Sequence, residues 1–273
     1  MLTLSQISSQ FPLLLRKRSP RGMLVEYLQY ELLDSLFKNA AAAGLSFIGG
    51  TAIRILHNSE RFSEDLDFDN FDLSFPEFEE LLETACRDMA YKGFMIEYRM
   101  VEKGSYHCYI RFPKILYQSG LSPDSGQKIL IRIDSETKER LYDPEQAFLN
   151  KFTVYRRILA APSPILSAQK MIAILYRNRE KGRDIYDVSF LMAFGAPDFS
   201  YIEKMIGLER AEFLRRFEKR LEELDLEVLA REVEPFLFSP EQQERVITFR
   251  DFWHAGNPPG QTPWNGIMFN RRT

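Results

Sequence analysis

Phe47-Ile48-Gly49-Gly50-Thr51, followed after a short helical segment by Arg61-Phe62-Ser63-Glu64-Asp65-Leu66-Asp67-Phe68, is the stretch that decides how this chain is read. An apolar run ending in Gly-Gly-Thr has the form of a buried strand, a tight turn and a helix start. Two glycines let the backbone come close to a bulky anion, and the free N–H groups of the next helix point at it. Asp65 and Asp67 stand at i and i+2, alternating with Leu66 and Phe68. On a strand buried on one face, that spacing puts both carboxylates on the other. Carboxylates held so close repel each other unless a cation lies between them. A few hard oxygen ligands suit Mg²⁺, with Mn²⁺ as a substitute, the shell being completed by water and substrate phosphates. A phosphate cradle leading into a carboxylate pair is the layout that metal-assisted nucleotidyl transfer needs, with two ions expected.

Fourteen residues, 51 to 64, separate Gly50 from Asp65, enough for two helical turns and a return to a neighbouring strand. Outward from this centre, residues 23–43 predict a helix, with Leu24, Leu28, Leu32 and Leu36 in an i, i+4 series and Gly44 closing it. Strands are expected over 45–48 and 64–70, with a helix from Thr51 to about His57 between them. Ser74-Phe75-Pro76-Glu77 is a capping box that opens a helix to Tyr91. Strands follow over 94–101, 105–112 and 128–134. Ala160-Ala161-Pro162-Ser163-Pro164 reads as a linker, and beyond it helices are expected over 167–179, 183–194, 199–206 and 209–232. The tail 256–273, rich in Gly, Pro and Asn, reads as a surface strap or a partly disordered segment. The expectation is an α+β chain: a mixed sheet with flanking helices over 1–160, then a helical domain with an irregular tail over 161–273.

With 273 residues, 45% of them hydrophobic, the chain can build one large or two modest cores. Two cysteines exclude a disulfide framework, and three scattered histidines give no zinc-ligand spacing. No apolar run approaches a signal peptide or a membrane span, so a cytoplasmic protein is expected. The net charge of −3 conceals an uneven distribution. From Lys151 to Arg183 there are eight basic residues and one acidic, Glu180, a local +7. Such a block is either a footprint for phosphates or a set of solvated helix faces.

A third carboxylate is usual in two-metal transfer, and Asp134 is the best candidate. It ends the run Ile129-Leu130-Ile131-Arg132-Ile133-Asp134, so a strand would deliver it to the rim of the sheet. The alternative for Asp134 is a strand-end cap or a salt bridge to Arg132, and Glu136 is the reserve. Farther on, Lys170 and Arg177 lie on one helical face, where cations could neutralise a triphosphate. Arg183, Asp184 and Asp187 form an Arg-Asp-x-x-Asp piece that reads equally as part of the site or as an ion-pair lock between helices.

The glycine pair followed by Asp-x-Asp resembles the polymerase-β-like nucleotidyltransferase superfamily. The fuller text, Gly-Gly-Thr-Ala-x-Arg and then Arg-x-Ser-x-Asp-Leu-Asp-Phe, resembles the AbiEii/AbiGii-type toxin nucleotidyltransferase family. Its later motifs, a helix with Lys, Ala and Arg followed by Arg-Asp-x-Tyr/Phe-Asp, have counterparts in 167–187, so the resemblance covers roughly residues 23–194. It implies a nucleotidyltransferase domain joined to a helical domain, in a toxin paired with a DNA-binding antitoxin encoded upstream, and nucleotide addition to the acceptor end of tRNA. Carried over by position, Gly49, Gly50 and Thr51 would contact phosphates and Lys170 the nucleotide; Arg54, Ser63, Arg177 and Arg183 are further candidates for nucleotide contact. Asp65, Asp67 and Asp134 would bind metal and act in catalysis, and Asp184 or Asp187 would fill the late acidic motif. The expected activity is transfer of an NMP from an NTP to an acceptor hydroxyl, RNA foremost. The competing expectations are a small-molecule or protein acceptor, and a binding module that has lost activity.

Overall fold

The computed structural model describes residues 1–256, and the chain divides into two compact units. The first comprises 1–58, 62–140 and 144–161, and the second 59–61, 141–143 and the chain from 162. The tail beyond Gly256, for which a surface strap or a partly disordered segment was expected, lies outside the described residues.

The first unit opens with helices α1 (Leu4–Ser8), α2 (Leu13–Arg18) and α3 (Pro20–Leu36), then a 3-10 turn at Ala40–Gly44. There follow β1 (Leu45–Ile48), α4 (Gly49–His57), β2 (Leu66–Asn70), α5 (Phe75–Tyr91), β3 (Glu97–Glu102) and β4 (Tyr106–Pro113). The unit ends with α6 (Ile115–Gln118), β5 (Lys128–Thr137), β6 (Glu145–Lys151) and β7 (Val154–Ala160). The strands make one mixed sheet in the order β3-β4-β5-β2-β1-β7-β6. β2 runs parallel to β5 and β1 parallel to β7, while the other neighbours are antiparallel.

α3 and α5 pack on each other and on the sheet. α5 starts at the capping box read from Ser74 and Glu77 and buries Phe78, Leu81, Leu82, Ala85 and Met89. α3 carries the expected leucine stripe but stops at Leu36, because the Asn39 side chain accepts from the Ala41 N–H and starts a new turn. It is buried almost all round, acidic residues included. Each acid meets a cation from another element: Glu26 binds Arg54 and Lys151, Glu31 binds Lys92, and Asp34 binds Lys92 and Arg156. A buried carboxylate without such a partner would be expensive.

The β6–β7 hairpin was not expected from sequence. In place of a five-residue linker, β7 runs to Ala160 and the next helix begins at Ser163, because proline is tolerated in a first helical turn. The second unit consists of α7 (Ser163–Tyr176), α8 (Gly182–Leu191), α9 (Phe199–Ile206), α10 (Arg210–Glu223), α11 (Leu226–Val233), α12 (Glu244–Ile247) and α13 (Phe249–Gly256). The single long helix expected over 209–232 is two, since Asp225 caps a new start by accepting from the Val228 N–H. Phe213, Phe217, Phe249 and Trp253 are fully buried and form its aromatic core. Among the described residues, no helix is long and apolar enough to cross a membrane.

Candidate active site

In β2, Leu66 and Phe68 are buried, Phe68 against the rings of Phe37 and Phe47. Alternation along the strand turns Asp67, and Asp65 just before it, to the opposite face. The parallel register of β2 with β5 sets Asp67 beside Asp134, and the antiparallel register of β4 with β5 sets His107 beside Asp134 on its other side. Neighbouring strands lie about 4.8 Å apart, so the three carboxylates share one small area of sheet. Asp134 is not at a strand end, as the sequence reading had it. β5 continues to Thr137, because residues 135–137 keep pairing with 68–70. Glu136, the reserve, is opposite Asp69 and pairs with Lys138 at 3.3 Å.

Arg132 lies on the same face of β5 and joins these acids. Its Nη2 is 3.1 Å from Asp65 Oδ2 and its Nε 2.7 Å from Asp134 Oδ2. Burial alone would make the guanidinium easier to deprotonate, but the charges of Asp65, Asp134 and Asp67 outweigh it and hold Arg132 above its ordinary pKa. His107 Nδ1 is 2.7 Å from Asp134 Oδ1, and Nε2 is 2.9 Å from Ser105 Oγ. With Nδ1–H donating to the carboxylate, Nε2 accepts from the serine hydroxyl, so both ring nitrogens are engaged and Asp134 is oriented. The salt bridge of Asp134 to Arg132, the alternative read from the sequence, is present, whereas the contact of Arg132 with Asp65 and the place of His107 depend on pairing between elements, which the sequence does not show.

Three oxygen donors on one face are the right chemistry for a hard divalent cation. Among the described residues, however, no three His, Cys, Asp or Glu side chains already converge as a cage. Arg132 draws Asp65 and Asp134 onto itself, so a cation held by Asp65, Asp67 and Asp134 requires the guanidinium to release them.

The anion side of the site is the start of α4, which begins at Gly49 rather than Thr51. Ile48 at the N-cap supplies no side-chain acceptor, so the first-turn N–H groups have no side-chain cap. Gly49 has φ of +77°, and a Cβ there would overlap the Asp67 carboxylate, 2.9 Å from its Cβ. The first glycine thus makes room for Asp67. Thr51 is fully buried and its hydroxyl donates to the Asp65 carbonyl, bracing the approach to β2. Its side chain is therefore not turned to a phosphate.

Arg54 corrects the reading further. It is buried and forms a two-pronged pair with Glu26 at 2.8 and 3.3 Å, which ties α4 to α3 and gives its charge a structural partner. Ser63 is half-buried, and its carbonyl accepts from Gln29 Nε2.

In the second unit, Lys170 of α7 and Asp184 and Asp187 of α8 form a buried cluster with Arg61. Arg61 holds both oxygens of Asp187 at 2.6 Å, and Lys170 Nζ is 2.9 Å from each aspartate. Burial opposes every charge here. Arg61 and Lys170 nevertheless hold Asp187 below its ordinary pKa, and the two aspartates hold Lys170 above its own. Asp187 is fully buried with both oxygens engaged, so it is an anchor of the helical core rather than a group that meets substrate. The partner of Asp187 is Arg61, not its helix neighbour Arg183. Asp184 Oδ2 is buried, makes no hydrogen bond among the described residues, and has Arg177 at 3.4 Å beside a small cleft also lined by Glu180 and Lys181. Arg183 is half-buried in the first turn of α8.

The +7 block is largely neutralised. Lys151 pairs with Glu26, Arg156 with Asp34, Lys170 with Asp184 and Asp187, Arg177 with Asp184 and Lys181 with Glu232. Five of its eight cations thus have carboxylate partners, all but one of them distant in sequence, which no local charge count could reveal.

Residues 31–254 match the family described as "Nucleotidyl transferase AbiEii toxin, Type IV TA system". No curated protein sequence is significantly similar to this chain. Among solved structures, the MenT4 nucleotidyltransferase toxin of Mycobacterium tuberculosis H37Rv is similar with a TM-score of 0.55 at 15% identity, over 92% of this chain and 99% of that one. JHP933 from Helicobacter pylori is similar with a TM-score of 0.53 at 15% identity, over 85% of this chain and 90% of that one. At such identities the likeness speaks for the fold.

Proposed function

Because the chain belongs to the AbiEii nucleotidyltransferase toxin family of type IV toxin–antitoxin systems, we propose that it moves an NMP group from an NTP to a hydroxyl of RNA, foremost the 3′ end of tRNA. The reading includes dependence on Mg²⁺, a cytoplasmic place of action and an antitoxin encoded upstream. The observation that carries it is the in-register placement of Asp67 and Asp134, with Asp65 on the same face, beside the glycine-led start of α4.

The first-turn N–H groups at Gly49 and Gly50 would hold a phosphate, favoured by the partial positive charge of the helix start. Asp65, Asp67 and Asp134 would hold the metal, which when bound polarises the α-phosphoryl group and acidifies the acceptor hydroxyl. Arg132, on releasing the carboxylates, would offer its charge to the leaving pyrophosphate. Asp134, oriented by His107, would accept the proton of the attacking hydroxyl. Lys170, Arg177, Arg183 and Asp184 are the second unit's candidates for nucleotide contact. Lys170→Met separates that role from a structural one, since loss of a nucleotide contact raises the KM for NTP whereas loss of a purely structural lysine lowers only the melting temperature.

Transfer to a small molecule or a protein side chain is the second reading, favoured by the pairing of the basic block. Incubation with labelled NTP and total RNA distinguishes the two. Label on RNA, lost in Asp65→Asn and Asp67→Asn, supports the first. Label confined to protein or small molecules removes the RNA acceptor and leaves the chemistry.

A further inference from the structure

We propose that the outward face of the β6–β7 hairpin is a stacking platform for single-stranded RNA, an inference that rests on the reading of RNA as the acceptor. The register pairs Phe148 with Arg157, Asn150 with Tyr155 and Gln146 with Leu159. The alternate residues Leu149, Val154 and Ile158 are buried, so these six side chains share the opposite face. Phe148 is 52% exposed and Tyr155 70% exposed. Their rings stack at 5.6 Å with an interplanar angle of 26°, and the Arg157 guanidinium lies over Phe148 at 5.8 Å.

Two exposed aromatic rings side by side, next to an arginine, form a surface that a stacking ligand can cover. Three features fit single-stranded RNA. The exposed parts of the two rings offer π-surface on which bases stack regardless of sequence, and an arginine beside them adds cation–π attraction and a phosphate contact. Gln146 and Asn150 provide donors and acceptors for base edges and the 2′-hydroxyl. None of the six residues is a carboxylate, and Arg157 makes no ion pair among the described residues, unlike Arg156, which the other face of β7 turns to Asp34. A protein partner is less well matched, because two aromatic residues and one leucine among polar groups are a small nucleus for a stable protein interface.

The test uses the full chain and a short fluorescein-labelled single-stranded RNA, with affinity read by anisotropy across a salt series. Phe148→Ala with Tyr155→Ala should weaken binding about tenfold or more, as expected for lost base stacking, with an unchanged melting temperature. The conservative pair Phe148→Tyr with Tyr155→Phe should restore it. Arg157→Ala should reduce the slope of log affinity against log salt by about 0.7, while NTP binding stays the same. Equal RNA affinity in the double alanine variant and the wild type overturns the platform even if RNA is labelled by the enzyme. Aromatic-dependent binding of RNA that is never labelled supports the platform and removes the RNA acceptor instead. A double variant that changes only self-association, with RNA binding intact, assigns the face to protein contact and overturns the proposal.

Discussion

At Gly49 the backbone is left-handed and the missing Cβ leaves space for Asp67. The sequence suggests the glycine pair as a cradle for an anion; that Gly49 makes room for a neighbouring carboxylate depends on the β1–β2 register. Gly49→Ala should therefore act through Asp67. A left-handed alanine costs about 1–2 kcal/mol, so thermal melting should show a modest loss of stability, while transfer of label from NTP falls far more steeply because the carboxylate is displaced. Activity close to wild type in Gly49→Ala would mean that Asp67 does not need its present position. The i, i+2 spacing of Asp65 and Asp67 shows in the sequence which face they share. The same spacing made the Arg132–Asp134 bridge legible, but the contact of Arg132 with Asp65 and the place of His107 were not, since a strand pattern gives the face of a residue and never the identity of its neighbour across the sheet.

Among the elements, those with local signals were read well. The capping box of α5, the apolar run of β1 and the leucine stripe of α3 each lie within a few residues of chain. The β6–β7 hairpin was missed because its inward face mixes Lys151 and Arg156 with apolar residues, and the acids that receive them lie on α3, more than a hundred residues earlier. The same helix explains Arg54, whose charge suggested a ligand but whose partner is Glu26. Arg54→Ala should leave that buried carboxylate with Lys151 alone and destabilise the chain by about 3 kcal/mol, as read by urea unfolding, without changing NTP affinity in the folded protein. Weakened NTP binding at undiminished stability would return Arg54 to the nucleotide.

On the scale of the whole molecule, the helical character of the second half was legible from periodicity, but its buried charges were not. Arg61 reaches Asp187 across 126 residues of chain. Asp187→Ala should leave Arg61 buried without its main counter-charge and cost about 3–5 kcal/mol. The pH dependence follows from the directions of the shifts. Asp187 is held below its ordinary pKa, so its contribution is present above about pH 3.9 and is lost as pH falls through its lowered value. Lys170 is held above its ordinary pKa, so its contribution is present below about pH 10.4 and is lost as pH rises through its raised value. The cluster should thus hold its stabilisation from about pH 5 to 9. Melting curves across pH should show a weaker acid arm in Asp187→Asn, and an identical acid arm would count against this assignment.

The central claim is that Asp65 and Asp67 hold a metal on which nucleotide use depends, and calorimetric titration of an NTP tests it most directly. Binding should strengthen when Mg²⁺ is added and fall sharply in Asp65→Asn and in Asp67→Asn, with the folded state intact by melting temperature. Equal affinity with and without Mg²⁺, in the wild type and both variants alike, would contradict the account.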